Sequence, residues 1–287
     1  MYTVSAHVND LSIVKVPLLR DTFALDVPSI LTALDTDESI QVIYLCSPGN
    51  PTSTLISKDD VTPLLAHPKW NGIIVLDEAY IDFAPENSSL AEWVLEHPNL
   101  VVLQTLSKAF GLAGIRLGAA FASEEVATLL NNLKAPYNIS SPTSALAIRA
   151  LQPESLAIMR KNLSTLLKQR ERLLTELLEI PGVGRSRGGA EANFLLVEML
   201  DAKGGNPSNE VAIKVYERLA EKRGVVVRFR GKEQWCEGCL RITVGTEEEV
   251  SRFLQEIRSV LEDVLKGHDG SEKSLEEKEK EARNVIG

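Results

Sequence analysis

At 287 residues the chain is long enough for two domains with separate cores, and 44% hydrophobic with 25% charged residues is an ordinary globular balance. A formal net charge of −9 argues against a general nucleic-acid binder, which needs a basic face, and no apolar run reaches the length of a membrane-spanning helix. Three cysteines, Cys46, Cys236 and Cys239, make no even disulfide framework and suit a reducing compartment, so the cytoplasm is the expected location.

In chain order, residues 39–46, 72–76, 100–104 and 117–122 read as short buried strands, and the first three run directly into loops. Segments 59–65 and 88–96 between them can pack as crossover helices, which predicts a mostly parallel sheet. Over 153–179, Leu156, Met159, Leu163, Leu166, Leu167, Leu173, Leu174, Leu177 and Leu178 recur at helical spacing, as in a long helix linking two domains. Beyond Pro181-Gly182 a strand at 194–198, a helix at 211–222 stopped by Gly224, and strands at 225–229 and 240–244 predict a smaller α/β domain. The closing helix starts at a capping box, Thr246-Glu247-Glu248-Glu249, and turns Val250, Phe253, Leu254, Ile257, Val260 and Leu261 inward. From Lys266 the chain is rich in Gly, Ser, Glu and Lys and reads as a solvated tail, partly helical through Glu–Lys pairs. The expected organisation is thus a large α/β domain over 1–152, a linking helix over 153–180, a small α/β domain over 181–265 and a charged tail over 266–287.

Three segments carry chemistry. Ser47-Pro48-Gly49-Asn50-Pro51-Thr52 and Leu76-Asp77-Glu78-Ala79-Tyr80 each follow an apolar run. The third, from Thr105 to Gly118, sets one amine, Lys108, among small and hydroxyl residues, with Arg116 eight positions later. Alone, each has an ordinary reading: Ser107-Lys108 as a surface pair, Asp77 to Tyr80 as a helix start, Asn50 as a turn residue. In this order, each beyond the carboxyl end of a strand, they form a constellation, because ligands of open α/β sheets gather there.

Pyridoxal phosphate is the cofactor whose chemistry needs these groups. A carboxylate, Asp77, raises the proton affinity of its ring nitrogen, while Asn50 and Tyr80 can donate hydrogen bonds to its phenolic oxygen. Thr105, Ser107 and Arg116 suit its phosphate, and Lys108 is placed to hold the cofactor covalently and to move protons as base and acid. In the second domain Arg241 lies in an otherwise apolar strand, Cys239-Leu240-Arg241-Ile242-Thr243-Val244, where a guanidinium needs an anion. A substrate carboxylate and a structural ion pair are the two candidates. Arg228 is a second strand cation, and Arg230 alternates to the same face, which leaves open which of them reaches the site. Cys236-x-x-Cys239 has the spacing of half a zinc site, but there is no second pair and His7, His67, His97 and His268 are scattered, so no metal is expected.

These motifs resemble the fold-type-I, class II aminotransferases, and from Tyr2 to about Leu265 the chain is similar to the histidinol-phosphate aminotransferase family. The resemblance is carried by Cys46-Ser47-Pro48-Gly49-Asn50-Pro51-Thr52, Asp77-Glu78-Ala79-Tyr80, the run from Thr105 to Gly114, Ala135-Pro136-Tyr137-Asn138, Ala192-Asn193-Phe194 and Leu240-Arg241-Ile242-Thr243-Val244-Gly245-Thr246. It implies a fold-type-I architecture with a mostly parallel large domain and a smaller α/β domain. It also implies transamination between histidinol phosphate and 2-oxoglutarate, or imidazole acetol phosphate and glutamate, in histidine biosynthesis. Lys108 and Tyr80 would be catalytic; Asn50, Asp77, Tyr80, Thr105, Ser107, Lys108 and Arg116 would hold the cofactor. Arg241 would take the carboxylate of glutamate, Arg228 the substrate phosphate, and Asn50 would also touch substrate. The family implies a homodimer. Family members carry further residues ahead of the segment matching Tyr2, so a truncated homologue is expected. An aromatic aminotransferase, a threonine-phosphate decarboxylase and a fragment without activity are the alternatives.

Overall fold

The computed structural model describes residues 2–284, with side chains through residue 267. A first helix, α1 (Tyr2–Val8), and an extended segment lead into α2 (Val27–Thr36), which is capped by Asp26: its carboxylate accepts from the Ser29 amide at 3.2 Å and the Ser29 hydroxyl at 2.7 Å. There follow β1 (Val42–Cys46), α3 (Lys58–Leu65), β2 (Ile73–Asp77), β3 (Leu100–Thr105) and β4 (Gly118–Phe121). The sheet order is β1-β2-β3-β4, with the first two pairs parallel and the last antiparallel. Leu45, Ile74, Leu76, Leu100 and Val102 from the strands pack on Ile30 and Leu34 of α2 and on Val61, Leu64 and Leu65 of α3.

Expectation and structure differ here in two places. The stretch 88–96 forms no α-helix but a 3-10 turn, Ala91–Leu95, because Leu90 is drawn down to Glu78. The 117–122 strand is present but exposed along its whole length, not buried, because it is the edge of the sheet. Two capped helices that weak periodicity concealed, α4 (Glu124–Asn132) and α5 (Ser141–Ala150), follow it, and then the long α6 (Pro153–Leu178).

The second sheet comprises β5 (Val183–Arg187), β6 (Phe194–Met199), β7 (Arg228–Phe229) and β8 (Cys239–Thr243) in the order β5-β6-β8-β7, antiparallel throughout. Helix α7 (Asn209–Arg223) ends at Gly224, whose φ of +62° is the left-handed cap that glycine adopts without a Cβ clash. The 225–229 strand is thereby shortened to its last two residues. β5 was not anticipated: Val-Gly-Arg-Ser-Arg has no apolar alternation, since its arginines lie in the sheet.

Helix α8 (Glu247–Asn284) begins at the expected capping box, with the Thr246 amide donating to Glu249 at 2.7 Å and the Glu249 amide donating to the Thr246 hydroxyl at 3.3 Å. The segment from Lys266, expected as a solvated and partly helical tail, continues the same helix to Asn284. The composition is helix-favouring, and Lys266 reaches back to Glu262 at 2.5 Å, one turn away. Residues 285–287 of that expected tail lie outside the described residues. No helix among the described residues is long and apolar enough to cross a membrane.

Every residue of β6 is buried because the sheet is covered on both faces. Leu195, Val197 and Met199 meet Leu240, Ile242, Leu173 and Leu177 of α6, and the apolar faces of α7 and α8. Leu196, on the other face, meets Phe23, Cys236 and Cys239. Leu195 is fully buried in the larger cluster, so Leu195→Ala should lower unfolding free energy by about 2–5 kcal/mol, measured by urea denaturation.

Candidate active site

Cys46 lies beside Asp77 and Asp77 beside Leu103 in the parallel ladder, so the loops leaving β1, β2 and β3 emerge along one sheet edge. Asp77, at the last position of β2, accepts from the Ala79 amide at 3.0 Å through Oδ1 and from the Tyr2 hydroxyl at 2.6 Å through Oδ2. Tyr2 packs on Tyr44 with ring centroids 4.0 Å apart. Burial, the nearby Cys46 and the bond to Asp77 push the Tyr2 phenol well above the usual tyrosine range, and burial with Asp77 and Cys46 pushes Tyr44 up to about 12. Tyr2 therefore stays a hydrogen-bond donor to Asp77. Sequence reasoning missed this role, because nothing local ties position 2 to position 77.

Glu78, next along, is buried and accepts from the Ser89 hydroxyl (2.6 Å), the Leu90 amide (2.7 Å) and the Gln104 side chain (2.9 Å). It ties the loop after β2 to β3, fixing the chain on both sides of the edge. Past β3, the Ser107 amide donates to the Thr105 hydroxyl at 3.1 Å, and Thr105 Oγ1 lies 2.9 Å from Ser107 Oγ and 3.3 Å from the Leu117 carbonyl. Arg116, next to Leu117, is exposed, has a left-handed backbone with φ +56°, and donates to the Ala113 carbonyl at 2.9 Å. For a residue with a Cβ that conformation costs on the order of 1 kcal/mol or more. The next residue, Leu117, carries the carbonyl that meets the Thr105 hydroxyl, so Arg116 is one residue from that contact in the chain.

Lys108 is exposed at the mouth of this edge, with its amine 5.1 Å from the centre of the Tyr80 ring. Tyr80 is buried and stands edge-on to Phe194, centroids 5.0 Å apart, and the Arg241 guanidinium lies 4.9 Å over the Phe194 ring. Lys108, Tyr80, Phe194 and Arg241 thus form one row across the two sheets. Asn50 closes it: Arg241 Nη1 donates to its side-chain oxygen at 2.8 Å. Phe194 was read as the start of a strand and as part of the Ala192-Asn193-Phe194 motif, without a role in the site.

Among the described residues no carboxylate lies within ion-pair distance of Arg241, and its buried Nε has no hydrogen-bond partner. Burial lowers its proton affinity, and the neighbouring Arg230 and Arg228 charges lower it further. Arg228 pairs with Arg241 across β7 and β8, but it is exposed rather than a buried-strand cation, because β7 is the sheet edge. Cys236 and Cys239 are free and buried, and no cluster of potential metal ligands exists among the described residues.

The row depends on how the two sheets meet. The Gly189 amide donates to the Thr52 carbonyl and the Glu191 amide to the Ser53 carbonyl, both at 3.0 Å, and the Ala192 amide donates to the Ser53 hydroxyl at 2.7 Å. Arg170 of α6 donates from Nη1 to the carbonyls of Phe83 and Ala192, both at 3.0 Å. One guanidinium therefore ties Phe83, beside the first sheet, to Ala192, beside the second.

The aminotransferase class I and II family matches residues 1–257. The chain belongs to this family. Among curated relatives it is similar to the histidinol-phosphate aminotransferases of Schizosaccharomyces pombe (52% identity) and Candida maltosa (51%), over 92% of this chain and 68% of each relative. The chain thus spans about two thirds of their length. Among solved structures it resembles the histidinol-phosphate aminotransferase from Clostridium acetobutylicum, with 25% identity and a TM-score of 0.80 over 91% of this chain and 75% of that one. The Sinorhizobium meliloti histidinol-phosphate aminotransferase, solved in complex with pyridoxal-5'-phosphate, shares the fold with a TM-score of 0.79 and 23% identity over 92% of this chain and 68% of that one.

In this family member the meeting of the sheets is testable at Gly188. Its φ is +72°, and a Cβ there would stand 2.1 Å from the Thr52 carbonyl oxygen. Gly188→Ala should destabilise the fold by about 2 kcal/mol or more, read as a lower urea midpoint.

Proposed function

We propose that this chain catalyses transamination of histidinol phosphate with 2-oxoglutarate, in histidine biosynthesis, with pyridoxal phosphate as cofactor. The single observation that carries the reading is the row Lys108–Tyr80–Phe194–Arg241, with an amine at one end and, at the other, a guanidinium that has no ion-pair partner among the described residues. The donor set suits the cofactor: a carboxylate at Asp77, hydroxyls at Thr105 and Ser107, the cation Arg116 and the amine Lys108. The relatives' shared activity points the same way.

When bound, pyridoxal phosphate supplies a protonated ring that draws electrons from the amino donor's Cα. Asp77 favours that ring protonation through its negative charge, and Tyr2 and the Ala79 amide hold the carboxylate in one orientation. Thr105, Ser107 and Arg116 bind the cofactor phosphate. Lys108 is the covalent anchor, and its Nζ takes up and returns the Cα proton. Tyr80 and Asn50 would donate to the cofactor's phenolic oxygen, and Asn50, which accepts from Arg241, would also orient the substrate carboxylate. Arg241 grips that carboxylate bidentately, and Arg228, its cross-strand neighbour, faces the substrate phosphate.

We further assign the large domain to 1–152, the linking helix to 153–180, the small domain to 181–265, and a charged tail to 266–287. We place the protein in the cytoplasm, supported by its three free cysteines. We assign it a homodimer, supported by exposed apolar side chains at Leu129, Leu146, Ile148 and Ile158 on α4, α5 and α6 and at Leu133 and Leu151 just after α4 and α5.

Protein mixed with pyridoxal phosphate should gain a visible absorption band that borohydride traps on Lys108. Lys108→Ala should lack it, and a trapped adduct of equal yield in that variant would sink the assignment. Arg241→Ala should raise the KM for glutamate by about 10- to 100-fold, more than it changes kcat, in steady-state assays.

A further inference from the structure

The Cys236–Cys239 pair has no part in the site described above. The Cys239 amide donates to the Cys236 carbonyl at 3.0 Å, closing a four-residue turn, and the Cys236 amide donates to the Glu233 carbonyl at 3.2 Å just before it. A turn of that kind holds its first and fourth Cα atoms within about 7 Å, a span that a disulfide bridges. Gly238 makes the return: its φ is +67°, and a Cβ there would stand 2.8 Å from the Met199 carbonyl oxygen. Both cysteines are buried in one cluster with Leu196 and Phe23. Their sulfurs are within hydrogen-bonding reach of each other, Cys239 donating to Cys236.

The two thiols are not equivalent. The hydrogen bond from Cys239 holds the Cys236 thiol below the ordinary range; burial and the Glu233 carboxylate oppose this, and the Arg187 and Arg230 guanidinium groups add to it. The same hydrogen bond, burial and the charges of Cys236 and Glu198 push Cys239 well above the range. Cys236 is therefore the sulfur that ionises first, while Cys239 keeps its proton. Cys236 is buried, but Lys232, Glu233, Gln234, Trp235 and Glu237 around it are exposed, so it lies on the inner side of a surface turn. Cys46 is the contrast: burial pushes its thiol up, and it neighbours Tyr2, Asp77 and the backbone of Asn50 rather than another cysteine.

We propose that Cys236 and Cys239 form a redox-modification site, at which a peroxide converts the dithiol reversibly to a disulfide with Cys236 as the attacking sulfur. The Cys236 thiolate attacks one oxygen of hydrogen peroxide, the O–O bond breaks, and hydroxide leaves, to be neutralised by the proton that Cys236 had released; Cys236 is then a sulfenic acid. The Cys239 sulfur attacks the Cys236 sulfur, the S–O bond breaks, and the hydroxyl departs with the Cys239 proton as water. Two electrons pass from the sulfurs to the peroxide, and a small dithiol returns them. This goes beyond the transaminase reading and does not rest on it. The Cys239 carbonyl accepts from the Arg230 amide at 2.8 Å, and Arg241 lies two residues on in β8, so oxidation acts on the strand that carries Arg241.

The test adds hydrogen peroxide to the folded, reduced protein, quenches with an alkylating agent and follows by mass the tryptic peptide 233–241, which contains both cysteines. That peptide should lose two hydrogens, resist alkylation and recover both thiols with dithiothreitol. Its thiols should disappear at least about tenfold faster than that of Cys46. In Cys239→Ser a dimedone adduct should accumulate on Cys236, whereas Cys236→Ser should leave Cys239 a thiol at least about tenfold longer than in the parent. A 233–241 peptide that stays reduced while Cys46 is oxidised overturns the inference, as does a disulfide that forms only in urea. A dimedone adduct on Cys239 in Cys236→Ser, with none on Cys236 in Cys239→Ser, overturns the choice of attacking sulfur. The parent measurement decides the disulfide even if a variant fails to fold. If the chain binds no pyridoxal phosphate, the transaminase reading fails and the thiol chemistry is still judged separately.

Discussion

Backbone hydrogen bonding between the 52–54 loop and the 188–192 segment is the constraint on which the rest of the site depends. Amides of Gly189 and Glu191 reach carbonyls of Thr52 and Ser53 across the sequence, and the Ser53 hydroxyl answers Ala192. These groups are buried or half-buried, so each would be costly if left unpaired. The docking carries Asn50 to Arg241 and Phe194 to Tyr80, joining what would otherwise be the loops of one sheet and the strands of another. Gly188 is required there because the Thr52 carbonyl occupies the space of any Cβ.

The second sheet separates two kinds of energetics on its two faces. One face is apolar and supplies stability, with Leu195, Val197, Leu240 and Ile242 fully or almost fully buried against three helices. The other holds charge. Arg187 and Glu198 are buried and 3.5 Å apart, Arg185 reaches the same carboxylate at 3.2 Å, and Arg187 also donates to the Arg20 carbonyl at 2.7 Å. Those charges are paired within the protein itself, although the buried Nε of Arg187 has no hydrogen-bond partner. Arg241, further along the same face, differs in having no carboxylate within ion-pair distance among the described residues.

On the first sheet the same logic appears in carboxylates. Glu78 is saturated by three donors and serves the fold, while Asp77, one residue earlier, has one oxygen on a backbone amide and the other on the Tyr2 hydroxyl. Adjacent strand residues point to opposite sides of the sheet, so neighbouring acids acquire different roles. Support from Tyr2 and Ala79 fixes the direction of the Asp77 carboxylate before any ligand is present.

The local chemistry was legible in the chain because it is written in contiguous residues. Apolar runs ending in Asp77, Thr105 and the 46–54 loop marked three strands and their carboxyl ends, and Thr246 with Glu249 marked a helix start through a three-residue spacing. Side-chain type alone also singled out Lys108 as the one amine in a run of small and hydroxyl residues. Long-range partnerships were decided only by tertiary structure: Tyr2 with Asp77, Arg170 with Phe83 and Ala192, Phe194 between Tyr80 and Arg241. β5 escaped for a related reason, since its arginines satisfy themselves on Glu198 of the next strand and leave no apolar period to read. Periodicity reports which face of an element is buried, whereas the identity of what buries it depends on chain crossings between residues far apart in sequence.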